Sequence, residues 1–240
     1  MVYSRETRAS ASEIKFVIDP AVAPAVRAWA REHLRADPHG SGAFEDEYET
    51  ASLYFDTAAQ DVFHRRGSYG RAKYRVRRYG TSDVVFLERK LRKPGLLIKR
   101  RTLASLVSLP RLHLADGQVG WDGEWFHRRL QLRRLAPSCQ VSYLRMARVL
   151  ACPDGIARLT LDSDLRAAPL HTASFTPGGV RFLEHGLILE LKYHRYLPAL
   201  FRRLVEEFSL EIGTASKYRL AMATLGHVAA PAIGNGTVHA

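Results

Sequence analysis

The sequence predicts an α+β fold: an antiparallel β-barrel that forms a tunnel, with helices packed outside it. Three observations predict this. Strand-like segments dominate the chain, most of them carry charge at every second residue, and the positions between are apolar. Side chains alternate across a pleated strand, so this pattern puts charge on one face and Leu, Ile or Val on the other. A sheet whose apolar face is covered by helices and whose charged face recurs strand after strand closes most simply on itself, with a charged lumen.

The elements follow in order. Residues 1–11 are small and polar and read as a flexible N-terminal tail. "SEIKFVID" (12–19) reads as a strand. "PAVAPAVRAWAREHLRAD" (20–37) reads as a helix that opens near its prolines and packs through Val22, Val26, Trp29, Ala30 and Leu34. "PHGSGAFEDE" is a loop and "YETASLYFD" (48–56) a strand. Thr57 can cap a short helix in "AAQDVFHRRG", ended by Gly67, and "GSYGR" (67–71) is a turn. Strands are expected at 70–79, 84–91 and 96–102, and helices at 103–115 and 123–136 from their apolar spacing. Strands resume at 139–149, 156–165 and 186–194, and helices at 198–208 and 215–226 close the fold. Residues 227–240 read as a disordered C-terminal tail. No internal repeat or low-complexity linker divides the chain, so residues 12–226 are expected to be one domain.

The chain has 240 residues, 46% of them hydrophobic, enough to bury a proper core. Its 36 Lys and Arg outweigh 24 Asp and Glu, a formal charge of +12. Such a field recruits polyanions: nucleic acid, an anionic membrane, or phosphate-rich small molecules. Cys139 and Cys152 show no CxxC spacing, which fits a reducing cytoplasm and argues against a cysteine zinc site. The N-terminus lacks the apolar core of a secretory signal, and no run approaches the ~20 apolar residues of a membrane span. The expected location is cytoplasmic, with any membrane link peripheral or through a membrane-protein partner; the oligomeric state stays open.

The charged alternation carries the chemistry. "EIK" sets Glu13 and Lys15 on one face, "FLERK" Glu88 and Lys90, and "LELKY" Glu190 and Lys192. "KYRVRRYG" (73–80) aligns Lys73, Arg75 and Arg77 and sends Arg78 to the other side. "IKRR" aligns Lys99 with Arg101, "VSYLRMA" Tyr143 with Arg145, and "ARLTLD" Arg158, Thr160 and Asp162. Cations that share a lumen repel one another at low dielectric, so water, counterions or a bound polyanion must offset the repulsion. Phosphate chains suit best, because Arg offers a planar fork and Lys a point charge to their oxygens. The interspersed carboxylates, Glu190 first and then Glu13, Glu88 and Asp162, fit a hard divalent cation that bridges phosphates.

At these residues the sequence resembles a known family. "YFDT" (54–57), "RVRRYG" (75–80), "FLERK" (86–90), "IKRR" (98–101), "SYLRMA" (142–147), "RLTLD" (158–162), "LELKY" (189–193) and "SKY" (216–218) occur in this order. The series is similar to the polyphosphate polymerase domain of the vacuolar transporter chaperone (VTC) family, in its stand-alone bacterial form, within the triphosphate tunnel metalloenzymes. The resemblance implies transfer of the γ-phosphoryl of ATP to a growing polyphosphate chain, with Mn²⁺ or Mg²⁺ as cofactor. It implies Arg75, Arg77, Arg145 and Lys217 as the residues nearest the chemistry and Glu190 as the metal-binding glutamate. Lys15, Lys90, Lys99 and Arg158 match further basic tunnel positions. Lys73, Arg101, Tyr143, Lys192 and Ser216 complete the expected phosphate-binding set.

Rival functions share parts of this pattern. The same tunnel could hydrolyse ATP or tripolyphosphate, or hold polyphosphate or a nucleotide without turnover. The single Glu13 departs from the E-x-E-x-K signature of the family's triphosphatases. Specific nucleic-acid binding is not expected, since Tyr74 and Tyr79 alone make no stacking platform. There is no GxxxxGK[ST] loop, and the ten histidines show no zinc spacing. "HRRLQLRR" (127–134) reads as a solvated helix face that could dock emerging polyphosphate or an acidic partner, with Trp121, Trp125 and Phe126 packed beneath it.

Overall fold

The computed structural model describes residues 4–9, 12–93, 96–114 and 120–226. The strands are β1 (Ser4–Ala9), β2 (Ser12–Ile18), β3 (Arg35–Ala36), β4 (Glu47–Asp56), β5 (Ala72–Tyr79) and β6 (Val84–Lys93). They continue with β7 (Leu96–Ser105), β8 (Ala136–Cys152), β9 (Gly155–Pro169), β10 (Val180–Arg181) and β11 (Leu187–Tyr193). The α-helices are α1 (Ala23–His33), α2 (Glu124–Leu132), α3 (Ala199–Glu207) and α4 (Lys217–Thr224).

The strands form one antiparallel sheet in the order β1-β7-β6-β5-β4-β8-β9-β11-β2, with β10 beside β9 and β3 beside β8. The sheet is curled and not closed: among the described residues no strand pairs with the outer edge of β1, and that of β2 meets only a short bridge, Phe16 with Ile212 and the Gly213 N–H donating to the Lys15 carbonyl at 2.8 Å. β1 and β2 follow one another in the chain and stand at the two ends of the strand order. Glu13 of β2 reaches Lys90 of β6 at 3.5 Å, which ties the β2 edge across the opening. Register shifts at Tyr54/Phe55 and Ser142/Leu144 add the local twist that curling needs. The long β8–β9 hairpin turns at Gly155, whose φ of +126° favours glycine; a Cβ there would also meet His194 at 2.8 Å.

The apolar faces lie outside, in two layers. Phe16, Met146, Leu159, Leu161, Leu189 and Leu191 pack beneath Val26, Trp29 and Ala30 of α1 and Phe201 and Leu204 of α3. Leu53, Phe55, Val76, Val85 and Leu87 pack with Phe126 and Leu130 of α2 and Tyr218 and Met222 of α4. Each fully buried side chain of this size contributes about 1.5–3 kcal/mol. Trp121 and Trp125 are half-buried around Phe126, while Arg128, Arg129 and Arg134 are exposed, as expected for the 127–134 stretch. His127 instead faces inward and is buried. Among the described residues no helix is long and apolar enough to cross a membrane.

Several expectations are corrected. Residues 4–9, expected in a loose tail, form β1; their polar composition hid a strand that is held through backbone pairing to β7. Residues 57–66 form turns and no helix. Thr57 does cap the first turn, accepting from the Asp61 N–H, but Asp56 then takes the Val62 and Phe63 N–H groups. Gln60 and Arg65 adopt φ of +58° and +57°, which stops helical propagation. β7 runs on to Ser105, and Leu106–His113, with Pro110 inside, is a 3-10 helix where an α-helix was expected. Gly67–Arg71 is also a 3-10 helix. The tail expected at 227–240 lies outside the described residues.

Candidate functional site

The enclosed face of the curled sheet is lined by the side chains that the alternation singled out. Arg77 is buried, with Nε donating to Ser52 Oγ at 3.0 Å and Nη2 to Tyr143 OH at 3.1 Å. Arg75 donates from Nε to Glu88 at 2.6 Å. Arg78, one residue on, turns away and donates to the carbonyls of Thr81 and Ser82 at 2.8 Å each. The pleat thus splits neighbouring arginines between two environments.

The centre of the site is a buried network around Glu190 and Asp162. Glu190 Oε1 accepts from Lys15 and Lys217, both at 2.9 Å, and Oε2 accepts from Lys192 at 2.8 Å. Asp162 takes a two-pronged contact from Arg145, at 2.6 Å from Nε to Oδ1 and 2.7 Å from Nη2 to Oδ2, and Lys217 Nζ shares Oδ2 at 2.6 Å. Lys217 opens α4, so the helix end delivers one ammonium between two carboxylates that lie on β9 and β11. Tyr218, the next residue, anchors that end by donating from its hydroxyl to Asp56 and stacking on Tyr54. Tyr143 lies beneath both cations, its ring 5.1 Å from the Arg145 guanidinium and 5.3 Å from Lys217 Nζ.

Charge pairing sets the protonation states. Burial works to raise the Glu190 carboxyl, but Lys192, Lys217, Lys15 and Arg145 hold it well below the usual range. Asp162 is lowered in the same way by Arg145 and Lys217 against burial. Glu88, half-buried, is held at about 2 by Arg75, Arg77 and Arg101 against the cost of desolvation. Burial would lower Lys15 and Lys217, yet their carboxylate partners raise both.

One end of the channel lacks this balance. Lys73, Lys90 and Lys99 share one rung across β5, β6 and β7. Lys73 Nζ donates to the neutral hydroxyl of Ser216 at 3.0 Å. Burial, with Lys15, Lys90, Arg65 and Arg75 around it, pushes Lys73 down from 10.5 to about 7. Burial pushes Lys90 down to about 8, even though Glu13 opposes the shift. At the opposite end Arg158 donates to Tyr48 OH at 2.8 Å and pairs with Asp37 at 2.9 Å. Arg101 pairs with Glu88 at 3.0 Å and donates to Tyr79 OH at 3.1 Å.

The carboxylates differ in their fitness for a metal ion. Among the described residues no three His, Cys, Asp or Glu side chains converge on a cation position. Asp162 and Glu88 are taken up by arginine contacts. Glu190 and Glu13 are bridged by Lys15, at 2.9 and 3.0 Å, and each keeps an oxygen that is less heavily engaged. A magnesium-type ion asks for one or two carboxylates and fills its remaining positions with phosphate and water. This pair fits that requirement once phosphate is present.

Sequence reasoning missed Tyr48, Thr50, Ser52 and Tyr54, although the alternation in "YETASLYFD" puts all four on one face. It also missed Phe86 and the Asp56–Tyr218 anchor, which joins residues 162 positions apart.

A curled antiparallel sheet with buried arginines, lysines and carboxylates along its enclosed face has the fold class of the triphosphate tunnel proteins. The chain belongs to the VTC domain family, which it matches over residues 10–226. Two solved structures share the fold. A putative adenylate cyclase from Bacillus halodurans has 15% identity and a TM-score of 0.55, covering 87% of this chain and 95% of that one. A putative adenylyl cyclase from Hippeastrum, described as revealing a dominant triphosphatase activity, has 14% identity and a TM-score of 0.50, covering 89% and 95%. At these identities the likeness is one of fold. No curated protein matches the chain.

Proposed function

We propose that this chain is a polyphosphate polymerase that moves the γ-phosphoryl of ATP onto the end of a growing polyphosphate chain. The observation that carries the reading is the pair of enclosed amino groups at Lys73 and Lys90, which have little carboxylate beside them to balance a positive charge. One meets only a hydroxyl among its named partners, and the other meets Glu13 at 3.5 Å. Inside a partly desolvated channel a polyanion satisfies these groups far better than water does.

In the reaction the bond between the γ-phosphorus and the bridging oxygen breaks, and its electrons leave with ADP. A terminal oxygen of the polyphosphate chain forms the new bond, so the protein need supply no nucleophile. Such a loose transition state is stabilised chiefly by positioning and by fixed positive charge. Arg145 is held rigid by Asp162, and Lys217 is held by Asp162 and Glu190; both are pre-oriented donors toward the transferred group. Arg75 and Arg77 hold the neighbouring phosphates. Glu190 and Glu13 would hold Mn²⁺ or Mg²⁺, which when bound would neutralise negative charge on the phosphates. We place the protein in the cytoplasm, with a membrane-protein partner as one route for the product.

Hydrolysis of ATP or tripolyphosphate in the same channel is the second reading, favoured by the triphosphatase activity described for the Hippeastrum protein. Incubation with ATP and Mn²⁺, followed by size separation of the products, distinguishes these. Long phosphate chains with ADP are expected. Free phosphate without chains would replace the polymerase with the hydrolase, and tight polyphosphate binding without turnover would leave a binding module.

A further inference from the structure

The two ends of the channel are chemically unlike. At the Lys73–Lys90–Lys99 rung three cations lie side by side, with Glu13 at 3.5 Å from Lys90. At the opposite end the alternation that delivers charge delivers rings instead: Tyr48 from β4, Tyr79 from β5 and Phe86 from β6, all half-buried. Tyr79 meets Tyr48 edge-on at 5.6 Å and Phe86 at 5.5 Å between centroids. Arginines surround them. Arg101 lies 3.4 Å over the Phe86 ring and 5.6 Å from that of Tyr79, and Arg77 lies 5.9 Å from Tyr79.

A bare phosphate chain has no apolar part and gains nothing from three rings. A nucleobase does, because every base has a π-face that stacks on aromatic side chains and on guanidinium planes. Position agrees with chemistry. Tyr79 and Arg77 are one pleat repeat apart, about 6.8 Å, and Arg75 is one repeat further on. A base at the rings therefore puts its phosphates over Arg77 and Arg75, with Arg145, the register partner of Tyr48, alongside and Lys217 joined to it through Asp162.

We propose that Tyr48, Tyr79 and Phe86 form a nucleobase subsite, which gives the channel a direction: a nucleoside triphosphate sits with its base at the aromatic end, and bare phosphate lies at the lysine end. The inference rests on the triphosphate reading of the channel and adds the nucleoside to it. Through this subsite the protein distinguishes a nucleotide from inorganic tripolyphosphate.

The test is metal-free calorimetric binding of ATP and of tripolyphosphate to the full chain. Phe86→Leu, which removes no hydrogen-bonding atom, is expected to weaken ATP about tenfold, or about 1.4 kcal/mol. Its tripolyphosphate affinity should stay within about twofold, which also shows that the variant is folded. Tyr79→Leu should weaken ATP as well, and Tyr79→Phe, which keeps the ring, should not. Equal losses for both ligands, or no loss of ATP affinity in either leucine variant, would overturn the subsite. Wild-type protein that binds tripolyphosphate but not ATP would also overturn it and leave the channel reading intact. Binding of neither ligand would remove the channel reading, and the subsite with it.

Discussion

Polyphosphate binding should take up protons, and Lys73 gives the number. Its ammonium, half-buried beside Ser216 and facing Lys15, Lys90, Arg65 and Arg75, is pushed down by desolvation and these cations to about 7. At pH 8 a group with that pKa is about nine-tenths neutral, and at pH 7 about half. A polyanion seated against it favours the charged form and returns its pKa toward 10.5. Binding at pH 8 should therefore absorb about 0.9 proton through Lys73, and its share of the affinity should fall about tenfold per pH unit above 7. The ligand's own ionisation is the same for wild type and for a Lys73 variant and cancels in their difference. Calorimetric titration of tripolyphosphate at pH 8, in buffers of different ionisation enthalpy, counts the protons. Lys73→Arg, permanently charged, should lower the uptake by about 0.9. Equal uptake by wild type and Lys73→Arg would refute the argument. For folding the sign is the reverse of a stabilising pair. The unfolded chain binds this proton between pH 7 and 10.5 and the folded chain does not, so the Lys73 penalty is complete below about pH 7 and is relieved as pH rises through that window.

Two further outcomes are expected. Glu190→Gln strips the shared carboxylate from Lys15, Lys192 and Lys217; unpairing buried charge costs about 3–5 kcal/mol. Tm should then fall by roughly 6–20 °C and recover more with tripolyphosphate than wild type does; an unchanged Tm in a thermal melt would remove Glu190 from the hub. Arg77→Ala should weaken tripolyphosphate tenfold or more, at about 1.5–3 kcal/mol for a charged hydrogen bond, while Arg78→Ala should change it less than about twofold. Equal losses in a side-by-side binding titration would contradict the inward and outward split.

The channel lining was legible because it is a local property. In "KYRVRRYG" and "LELKY" the two-residue period of a strand alone decides which side chains share a face, and Arg75, Arg77, Glu190 and Lys192 follow from it. The apolar faces of β9 and β11 were readable for the same reason, and with them the helices that cover the outside. β1 was not readable, because "SRETRA" is polar and owes its strand to backbone hydrogen bonds with β7. Residues 57–66 failed similarly: the Asp56 carboxylate, together with left-handed residues at Gln60 and Arg65, outweighs a local helical pattern.

Which charges face the channel was thus written in the alternation of residues along each strand. Which carboxylate each cation meets was not, since Lys217 reaches Asp162 and Glu190 only after α4 is docked against β8 and β9. The same holds for the open edge of the sheet, for the rings gathered at one end and for the depressed Lys73. Each depends on distances between strands far apart in the chain, and Coulomb and desolvation energies follow distance and burial, which no local sequence pattern encodes.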